Sequence, residues 1–470
     1  MMSTIMKFGG TSLADTTAFE RVREIVRAHL AAHPVVVASA MSRVTDALLE
    51  SVGRAAEGHA DEAVRFLDQH FERHLNVAHA LLTEETRAAF AATVDNTRRE
   101  ISELLQAVAA HSMPRPVLQD IVASYGERLS ANLLASVLLE AGLLALYVDA
   151  RRCIVTTGEH GCAEPLTEET ARRSRAELTS IIEAQHIPVL GGFIGASLDG
   201  ATTTLGRGGS DYTAALIGAA LSAREIQIWT DVSGVLTADP RVVKGSRTIP
   251  RMSYAEAAEL AYFGAKVLHP KTIQPAVEQR IPVRICNSRA PQDAGTLVCS
   301  ETEMSPLTVK AIAHKTGITI VQISSARMLG AYGFMHAIFD IFNRHRTVID
   351  VVTTSEVSVS LSLEDASALP ALVSELKQLG AVQVEQPCAI VCVVGQGLRV
   401  TPGIAARIFN CLSDININLI SQGASSINLT FAVSKDDLPE AVNRLHATFF
   451  EGVAETACET EVLEMRETAH

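Results

Sequence analysis

Short apolar segments alternate with helical patterns through the first 300 residues of this 470-residue chain. The segments STIMKFGG, PVVVASAM, ALYVDA and EIQIWTDVSG have the character of buried strands, and amphipathic stretches such as AFERVREIVRAHLAAH lie between them. This alternation predicts an α/β fold in which a mostly parallel sheet is sandwiched by helices. Residues 47–123 are rich in Ala, Glu, Arg and His and have almost no strand pattern, which predicts a helical insertion.

The pattern changes near SETEMSPLTVKAIAHKTG, where the first 300 residues end. Strand–helix–strand–strand–helix–strand then occurs twice, and this order predicts two ferredoxin-like βαββαβ units. We therefore expect an α/β domain over residues 1–300, followed by small domains over residues 301–387 and 388–470. Two such units after an α/β domain suggest an attached sensor; the alternative is that they only hold subunits together.

The charge balance excludes some classes of partner. The chain has 40 Lys and Arg against 53 Asp and Glu, a net charge of −13, which argues against a general binder of nucleic acid or membrane surfaces. No run of apolar residues reaches the length of a membrane span, and the N-terminus lacks the apolar run of a signal peptide. The eight cysteines form no CxxC pair and no zinc-site spacing. We expect reduced thiols, no protein-bound metal and a cytoplasmic location.

The stretch TTTLGRGGSDYTAALI, residues 202–217, has the features of an anion site. Its glycines let the backbone approach a ligand, and Ser210 and Asp211 suit the N-terminus of the helix that follows. The free N–H groups of a helix N-terminus suit a carboxylate or phosphate, and Arg207 can hold a carboxylate through two parallel hydrogen bonds. Asp211 would need a cationic partner. The alternative is an ordinary capped helix after a flexible turn.

A second glycine-rich turn, MKFGGTS, follows the first strand. Backbone N–H groups at Gly9 and Gly10 could cradle phosphates while Lys7 neutralises their charge, although a plain turn fits the pattern as well. The motif GxxxxGK[ST] of the P-loop occurs nowhere in the chain.

Three further segments carry candidate polar residues. WTDVSGVLTADPR follows a strand, where open α/β sheets bind ligands. YFGAKVLHPKT contains Lys266 and His269, and a structural role for the histidine is the stronger interpretation. SYGERLSA puts Glu127 and Arg128 in a helical context, where surface charges are the alternative.

Together and in this order, these motifs resemble those of aspartate kinase, of the amino-acid kinase superfamily. The resemblance covers essentially the whole chain and includes KFGGTS, SYGERLS, GFIGA, TTTLGRGGSDYTAALI, WTDVSGVLTADPR, FGAKVLHPKT and TTSEVSVSL. It implies the amino-acid kinase fold, two ACT domains at the C-terminus, and transfer of the ATP γ-phosphoryl group to the β-carboxylate of L-aspartate. It also implies ATP with Mg²⁺ held mainly by the nucleotide phosphates, and a homodimer or larger assembly through the ACT domains.

The resemblance assigns roles to individual residues. Lys7 would stabilise the transferring phosphoryl group, and Asp211 would orient a lysine or the substrate. The implied aspartate site comprises Ser39, Thr45, Glu127, Arg207, Gly208, Gly209 and Ser210. The implied nucleotide site comprises Lys7, Gly9, Gly10, Thr230, Asp231, Leu236, Arg241 and Lys266. Two positions depart from many relatives, Ser233 where aspartate is common and Leu236 where an aromatic residue is common.

The first repeat resembles the effector-binding ACT domain of lysine-inhibited relatives. The implied effector residues are Met328, Gly333, Phe334, Asp350, Thr354, Ser355 and Glu356. We expect an amino-acid effector, with lysine as the first choice. The turn GAY, residues 330–332, lacks the small polar residues that those relatives often use.

Two other functions stay open at this point. One is a different amino-acid kinase of the superfamily, and the other is a catalytically silent sensor that keeps the kinase fold as a scaffold. Retention of Lys7, Arg207, Asp211 and Lys266 weighs against the sensor. Fusion to homoserine dehydrogenase is disfavoured, because no GxGxxG-bearing domain follows the repeats.

Overall fold

A computed structural model describes residues 2–264, 268, 270–300 and 308–451. The chain divides into two compact units. The first unit contains residues 1–235, 250–254 and 267–300, and the second contains residues 236–249, 255–266 and 301–470. Among the described residues, no helix combines the length and the apolar composition that crossing a bilayer requires.

The first unit is built on an eight-stranded sheet with the strand order β3-β5-β2-β1-β8-β10-β11-β9. Every neighbouring pair is parallel except β10 and β11, which confirms the mostly parallel sheet. A second, three-stranded sheet has the order β4-β6-β7. The strands are β1 Thr4–Phe8, β2 Pro34–Ala38, β3 Ala145–Val148, β4 Val155–Thr156, β5 Ile187–Gly191, β6 Ile194–Ser197, β7 Thr202–Thr204, β8 Glu225–Thr230, β9 Arg251–Ser253, β10 Val283–Asn287 and β11 Thr296–Cys299.

The central strands β1, β2 and β5 are almost entirely buried, as expected when helices cover both faces of a parallel sheet. Their sequences TIMKF, PVVVA and IPVLG are accordingly apolar runs without alternation. The helices of this part of the chain are α1 Thr16–Ala28, α2 Val44–Ala56, α3 Ala60–Leu81, α4 Glu84–Ala109, α5 Arg115–Glu140, α6 Thr167–Glu183, α7 Gly209–Leu221, α8 Tyr254–Tyr262 and α9 Pro270–Glu278. From residue 255 onward, α8 belongs to the second unit.

Helices α2, α3, α4 and the first turns of α5 occupy residues 47–123, where the sequence has almost no strand pattern. Apolar side chains recur along α4 at Phe90, Val94, Ile101 and Leu105, and all four are buried in one core with residues of β1 and β2. This spacing sets one face of α4 against the core. Each fully buried side chain of this size contributes about 1.5–3 kcal/mol. The helical segment is therefore part of the first unit's core.

The second unit contains one six-stranded sheet with the strand order β13-β14-β12-β15-β17-β16, and all of its pairs are antiparallel. The strands are β12 Ala311–Ser324, β13 Val352–Thr354, β14 Ser358–Leu363, β15 Ala381–Val394, β16 Leu419–Gln422 and β17 Asn428–Ser434. The helices are α10 Phe334–Arg344, α11 Leu369–Leu376, α12 Ile404–Asn410 and α13 Leu438–Phe450.

The two central strands of this sheet serve both repeats. The second half of β12 pairs with β14, and the second half of β15 pairs with β17. β12 and β15 also pair with each other along their whole length, with register shifts between Thr316 and Ile320. The first half of β12, residues 311–316, thereby lies beside residues 389–394 and completes the strand set of the second repeat. The boundary expected between residues 387 and 388 falls inside β15 and stays a prediction.

Each repeat has its own apolar core. In the first repeat, Ile338, Ile341 and Phe342 of α10 pack against β12, β14 and α11. In the second, α12 and α13 pack against β15 and β17, and this core also contains Ala238 and Val243. Ala238 and Val243 thus tie the segment 236–249 to the second unit, although this segment directly follows β8 and its loop in sequence.

Candidate active site

The strand β1 ends at the glycine-rich turn, and its lysine is paired. Lys7 Nζ lies 2.7 Å from Asp211 Oδ1 at the start of α7, and both side chains are largely buried. A Cβ at Gly9 would lie 3.6 Å from Lys7 Nζ, so the ammonium group lies against the turn. A Cβ at Gly10 would come within 2.9 Å of the carbonyl oxygen of Ala40. Gly10 therefore permits a close approach of the backbone to the carbonyl group of Ala40.

The turn before α7 depends on glycine. Gly206 has φ +73° and Gly208 has φ +74°, and the helix begins at Gly209. Positive φ at two positions separated by one residue is costly for any side chain larger than hydrogen. Arg207 lies between them at the tip of the turn, exposed and without an ion pair among the residues that the structure describes. Its guanidinium is thus available beside the N-terminus of α7.

The glycine pair between β5 and β6 supports the first turn of α7. A Cβ at Gly192 would lie 2.6 Å from Ser210 Cβ, so only glycine fits there. Phe193, with φ +67°, accepts a backbone hydrogen bond from Leu205 and donates its own N–H to Thr213 Oγ1 at 3.0 Å. Neither Gly192 nor Phe193 was assigned a role from the sequence. Two adjacent glycines after the apolar strand IPVL were the signal that could have identified them.

Glu127 is a buried carboxylate in the middle of α5. It is 3% exposed, and Thr45 Oγ1 donates to its Oε1 at 3.3 Å. Its Oε2 has no hydrogen-bond partner among the described residues. Burial raises the pKa of Glu127 to about 8, because removing a carboxylate from water disfavours its charged form. A cationic group arriving at this side chain would supply the missing partner.

Ser39 and Thr45 lie at the two ends of the β2–α2 connection, next to Glu127. Ser39 donates its N–H to the carbonyl of Phe8, and its own carbonyl accepts from Ser130 Oγ at 2.6 Å. A Cβ at Gly126 would be 2.9 Å from Ala40 Cβ, which shows how closely α5 approaches this connection. The structure therefore brings Ser39, Thr45 and Glu127 together.

The carboxyl ends of β1, β8 and β10 are tied to one another. Gly9 donates its N–H to Trp229 O at 3.1 Å, and Ser12 Oγ donates to Ser288 Oγ at 2.8 Å. At the end of β8, Thr230 Oγ1 donates to the exposed Asp231 Oδ1 at 3.2 Å. Thr230 and Asp231 thus lie near the turn that follows β1. Ser233, a departure noted in the sequence, donates to Asp293 Oδ2 at 2.6 Å.

The remaining nucleotide candidates lie in other parts of the chain. Leu236 and Arg241 belong to the second unit. Leu236 forms an isolated bridge with Thr248, and the exposed Arg241 side chain donates three hydrogen bonds to Asp239, at 3.0, 3.1 and 2.6 Å. Lys266 and His269 lie outside the described residues.

The effector candidates lie in two neighbouring segments of the first repeat. Met328 ends a 3₁₀ turn, and Phe334 begins α10 directly after Gly333, which has φ +77°. Thr354, Ser355 and Glu356 lie at the β13–β14 turn. The N–H of Ser325 donates to the carbonyl of Val357 at 2.8 Å, and this bond holds the two segments side by side.

Asp350 is the buried charge of this region. Tyr262 Oη donates to its Oδ1 at 2.8 Å, and Lys315 Nζ lies 3.8 Å from the same oxygen. The other oxygen, Oδ2, is buried without a hydrogen-bond partner in the described part of the chain. Burial raises the pKa of the Tyr262 phenol, and its hydrogen bond to Asp350 raises it further.

Comparison with known proteins agrees with this architecture. The family model of the amino acid kinase family matches residues 2–287, and an ACT domain model matches residues 391–449. The lysine-sensitive aspartokinase 3 of Escherichia coli is 38% identical over 460 residues, which cover 95% of this chain and 99% of that protein. The chain belongs to the aspartokinases of the amino acid kinase family.

Two solved structures extend the comparison to three dimensions. Escherichia coli aspartokinase III in complex with aspartate and ADP, in the R-state, has a TM-score of 0.78 and 37% identity. The same enzyme with lysine and aspartate, in the T-state, has a TM-score of 0.80 and 36% identity. Each comparison covers 96% of this chain and all of that chain. The expected fold class, an amino-acid kinase domain followed by ACT domains, is confirmed.

Proposed function

We propose that the chain transfers the γ-phosphoryl group of ATP to the β-carboxylate of L-aspartate, giving 4-phospho-L-aspartate and ADP. The observation that carries this proposal is the Lys7–Asp211 pair. It links the glycine-rich turn after β1, a candidate phosphate site, to the glycine-rich turn before α7, a candidate carboxylate site. A phosphate donor at the first turn and a carboxylate acceptor at the second would meet at this pair. Support also comes from the aspartokinase relatives, one of which was solved with aspartate and ADP.

The acceptor is held by opposite charges at its two ends. We assign its α-carboxylate to Arg207, which is exposed and unpaired among the described residues, and to the backbone of Gly208, Gly209 and Ser210. The α-ammonium group goes to Glu127, whose Oε2 lacks a partner. The polar groups of Ser39 and Thr45 line the same pocket. Glutamate, one methylene longer, would misplace its carboxylate in a site with both ends fixed.

The nucleotide is assigned to the strand ends that face the other side of Lys7. Gly9 and Gly10 would supply backbone donors to the phosphates, and Thr230 and Asp231 would contact the rest of the nucleotide. Leu236, Arg241 and Lys266 complete the proposed set by resemblance. Among the described residues, no cluster of three or more ligating side chains could form a metal cage. By the resemblance to aspartate kinases, Mg²⁺ would enter with the nucleotide, held mainly by phosphate oxygens, where it neutralises their charge.

The reaction requires positioning and charge neutralisation. A β-carboxylate oxygen of aspartate attacks the γ-phosphorus as the bond from that phosphorus to the β,γ-bridging oxygen breaks, and ADP leaves with the electron pair. The acceptor is ionised at neutral pH, so no general base is needed. Lys7 Nζ would stabilise the charge on the transferring phosphoryl group, and Asp211 would hold that ammonium in place.

Regulation by an amino acid is the second part of the proposal. An effector bound near Met328, Gly333, Phe334, Thr354, Ser355 and Glu356 would present its ammonium group to Asp350, whose Oδ2 is buried and unpartnered within the described residues. Lysine is the first choice, since relatives include a lysine-sensitive enzyme. We also propose a homodimer or larger assembly through the ACT domains and a cytoplasmic location, where free thiols such as the seven described cysteines persist.

The test is formation of aspartyl phosphate trapped with hydroxylamine, dependent on ATP and Mg²⁺. Turnover with aspartate and not with glutamate is the expected result. Turnover with another carboxylate or carbamate would favour a different amino-acid kinase, and nucleotide binding without turnover would favour a sensor. Titration with millimolar lysine and threonine tests the effector, because an unchanged rate with both removes that part. Light scattering of the protein as it elutes from a size-exclusion column gives the molar mass of the assembly.

A further inference from the structure

Asp120 is a buried carboxylate on α5 outside the set of residues discussed so far. It is 2% exposed and receives donors from two other segments. Thr204 Oγ1 donates to its Oδ1 at 2.6 Å, and His160 Nδ1 donates to its Oδ2 at 2.8 Å. The N–H of Gly161 lies 3.1 Å from Oδ1 and 3.0 Å from Oδ2. Both carboxylate oxygens are therefore fully used by groups of the protein.

The two segments that Asp120 holds both lead to the turn with Arg207. Thr204 is the last residue of β7, directly before that turn. Gly161 belongs to the loop between β4 and α6, and this loop is bound to Thr204 by a hydrogen bond from the N–H of Ala163 to Thr204 O at 2.9 Å. A Cβ at Gly206 would lie 3.5 Å from Gly161 O and 3.7 Å from Cys162 Sγ. The loop thus packs against the residue that precedes Arg207.

Asp120 also has a fixed relation to Glu127. The two lie seven residues apart on α5, two turns of helix, so they project from the same face. One rigid helix therefore carries the carboxylate proposed for the substrate's ammonium group and the carboxylate that anchors the turn of Arg207. The distance between the two charges that would hold aspartate is then set by α5.

We propose that Asp120 is a positioning residue for aspartate binding, which acts by holding the β7–α7 turn and so the guanidinium of Arg207. This inference rests on the proposed function, in which Arg207 binds the α-carboxylate. Asp120 itself has no free oxygen for a substrate, since its acceptors are taken by Thr204, His160 and Gly161. Its loss loosens the turn between two positive-φ glycines, which has little conformational restraint of its own.

The experiment compares steady-state kinetics of Asp120→Ala, Asp120→Asn and Thr204→Val in the full chain. We expect Asp120→Ala to raise the KM for aspartate about tenfold or more, the factor of one lost hydrogen bond to a charged group. The KM for ATP should change less than threefold. Asn keeps an oxygen that accepts from Thr204 and Gly161, so Asp120→Asn should retain most of the affinity for aspartate. Thr204→Val removes one of the same bonds and should raise the KM about fivefold.

A double variant separates positioning from a general structural role. If Asp120 acts through Arg207, adding Asp120→Ala to Arg207→Ala should cause no further rise in the KM for aspartate. The matched control is Asp199→Asn, an exposed aspartate at the neighbouring β6–β7 turn, which should leave both KM values unchanged. Thermal unfolding of each variant identifies any loss of folded protein.

The outcomes are distinct. An unchanged KM for aspartate in Asp120→Ala and Thr204→Val, with a raised KM in Arg207→Ala, overturns the role of Asp120 and leaves the proposed function intact. Equal multiplicative effects of Asp120→Ala with and without Arg207 also overturn it. An unchanged KM in Arg207→Ala removes the assignment of Arg207 in the proposed function and the inference with it. If Asp120→Ala fails to fold, Thr204→Val with its double variant decides between these results.

Discussion

The ammonium nitrogen of Lys7 lies 2.7 Å from a carboxylate oxygen of Asp211. The two residues come from β1 and from the first turn of α7, segments that are far apart in sequence. Neither side chain is more than 16% exposed, so solvent screens the pair only weakly. Charges of the proposed donor and acceptor sites are therefore coupled before any ligand binds.

Replacing Lys7 with alanine should lower kcat about 10²–10³-fold, because a preorganised positive charge on the transferring phosphoryl group is lost. Asp211→Asn keeps the shape of the side chain and removes the charge that holds the ammonium, so a smaller loss is expected. Hydroxylamine-trapped aspartyl phosphate measures both. Lys435→Ala, at an exposed site of the second unit, is the control. Full activity of Lys7→Ala would contradict the role.

Replacing Gly192 with alanine should displace the start of α7. The new Cβ would lie 2.6 Å from Ser210 Cβ and 2.7 Å from Ser210 Cα, and overpacking of this kind costs about 1–3 kcal/mol. We expect kcat/KM for aspartate to fall at least tenfold while the protein stays folded. Gly245→Ala is the control, because a Cβ there meets nothing within 4 Å. An unaffected kcat/KM in Gly192→Ala would show that the turn tolerates displacement.

Glu127 should give the enzyme a pH dependence near neutrality. Burial raises its pKa to about 8 in the ligand-free protein, so at pH 6.5 the side chain is protonated and uncharged. Binding a cationic ammonium group favours the ionised form. The kcat/KM for aspartate should therefore rise as pH increases from 6.5 to 8, up to the point where the substrate's own ammonium group loses its proton. Glu127→Gln should have a lower kcat/KM and lack this rise, and a parallel rise in the variant would assign it to another group.

His74 should make the fold sensitive to acid. It is fully buried on α3, its Nδ1 donates to His70 O at 2.7 Å, and burial lowers its pKa from 6.5 to about 4. The folded protein keeps His74 neutral. The contribution of His74 to the free energy of unfolding is therefore complete above pH 6.5 and is lost as the pH falls from 6.5 towards 4. Urea unfolding at pH 7.5 and pH 5 should differ by about 2 kcal/mol from this group alone.

A variant assigns that loss to His74. His74→Gln cannot take up a proton, so the difference between the two pH values should shrink by this amount. His186→Gln, at an exposed histidine bonded to the carbonyl of Ala184, should leave the difference as it is in the native chain. The same acid sensitivity in His74→Gln would point to other buried groups.

The effector proposal predicts opposite effects for two changes at one hydrogen bond. Asp350→Asn removes the charge for an effector's ammonium group and should raise the lysine concentration for half-inhibition at least tenfold. Tyr262→Phe releases Asp350 Oδ1 for the effector and should lower it several-fold. Lys435→Ala is the control, since Lys435 is exposed and belongs to the second repeat. Equal half-inhibition in all three variants would move the effector site elsewhere.

Sequence patterns were sufficient for the sheet of the first unit because a parallel strand buried on both faces is a local run of apolar residues, as in PVVVA of β2. The glycine turns at Gly10 and Gly208 were also visible, since close approach and positive φ have a local sequence signal. Asp120 had none, and the sequence indicated only that Asp211 needs a cationic partner, without identifying Lys7 as that partner. Their contacts join distant segments, and a buried aspartate on α5 has the same local pattern as an exposed one.

The second unit shows a different limit. The repeats were visible because each strand and helix has its own pattern, and the pattern occurs twice. The pairing of residues 311–316 with residues 389–394 was not, since a strand of apolar and polar residues does not reveal which of several edges it joins. For the same reason, the burial of Val243 in the core of the second repeat came only from the structure.

Strands β12 and β15 each pair with strands of both repeats, and this affects the order in which the six-stranded sheet can form. During synthesis, residues 311–316 leave the ribosome before residues 389–394, with which they pair in the folded sheet. The first half of β12 therefore has no partner strand until the second repeat has been synthesised. A chain cut at residue 387 would leave both halves of the sheet without a neighbour. The two repeats therefore depend on each other to complete their shared sheet.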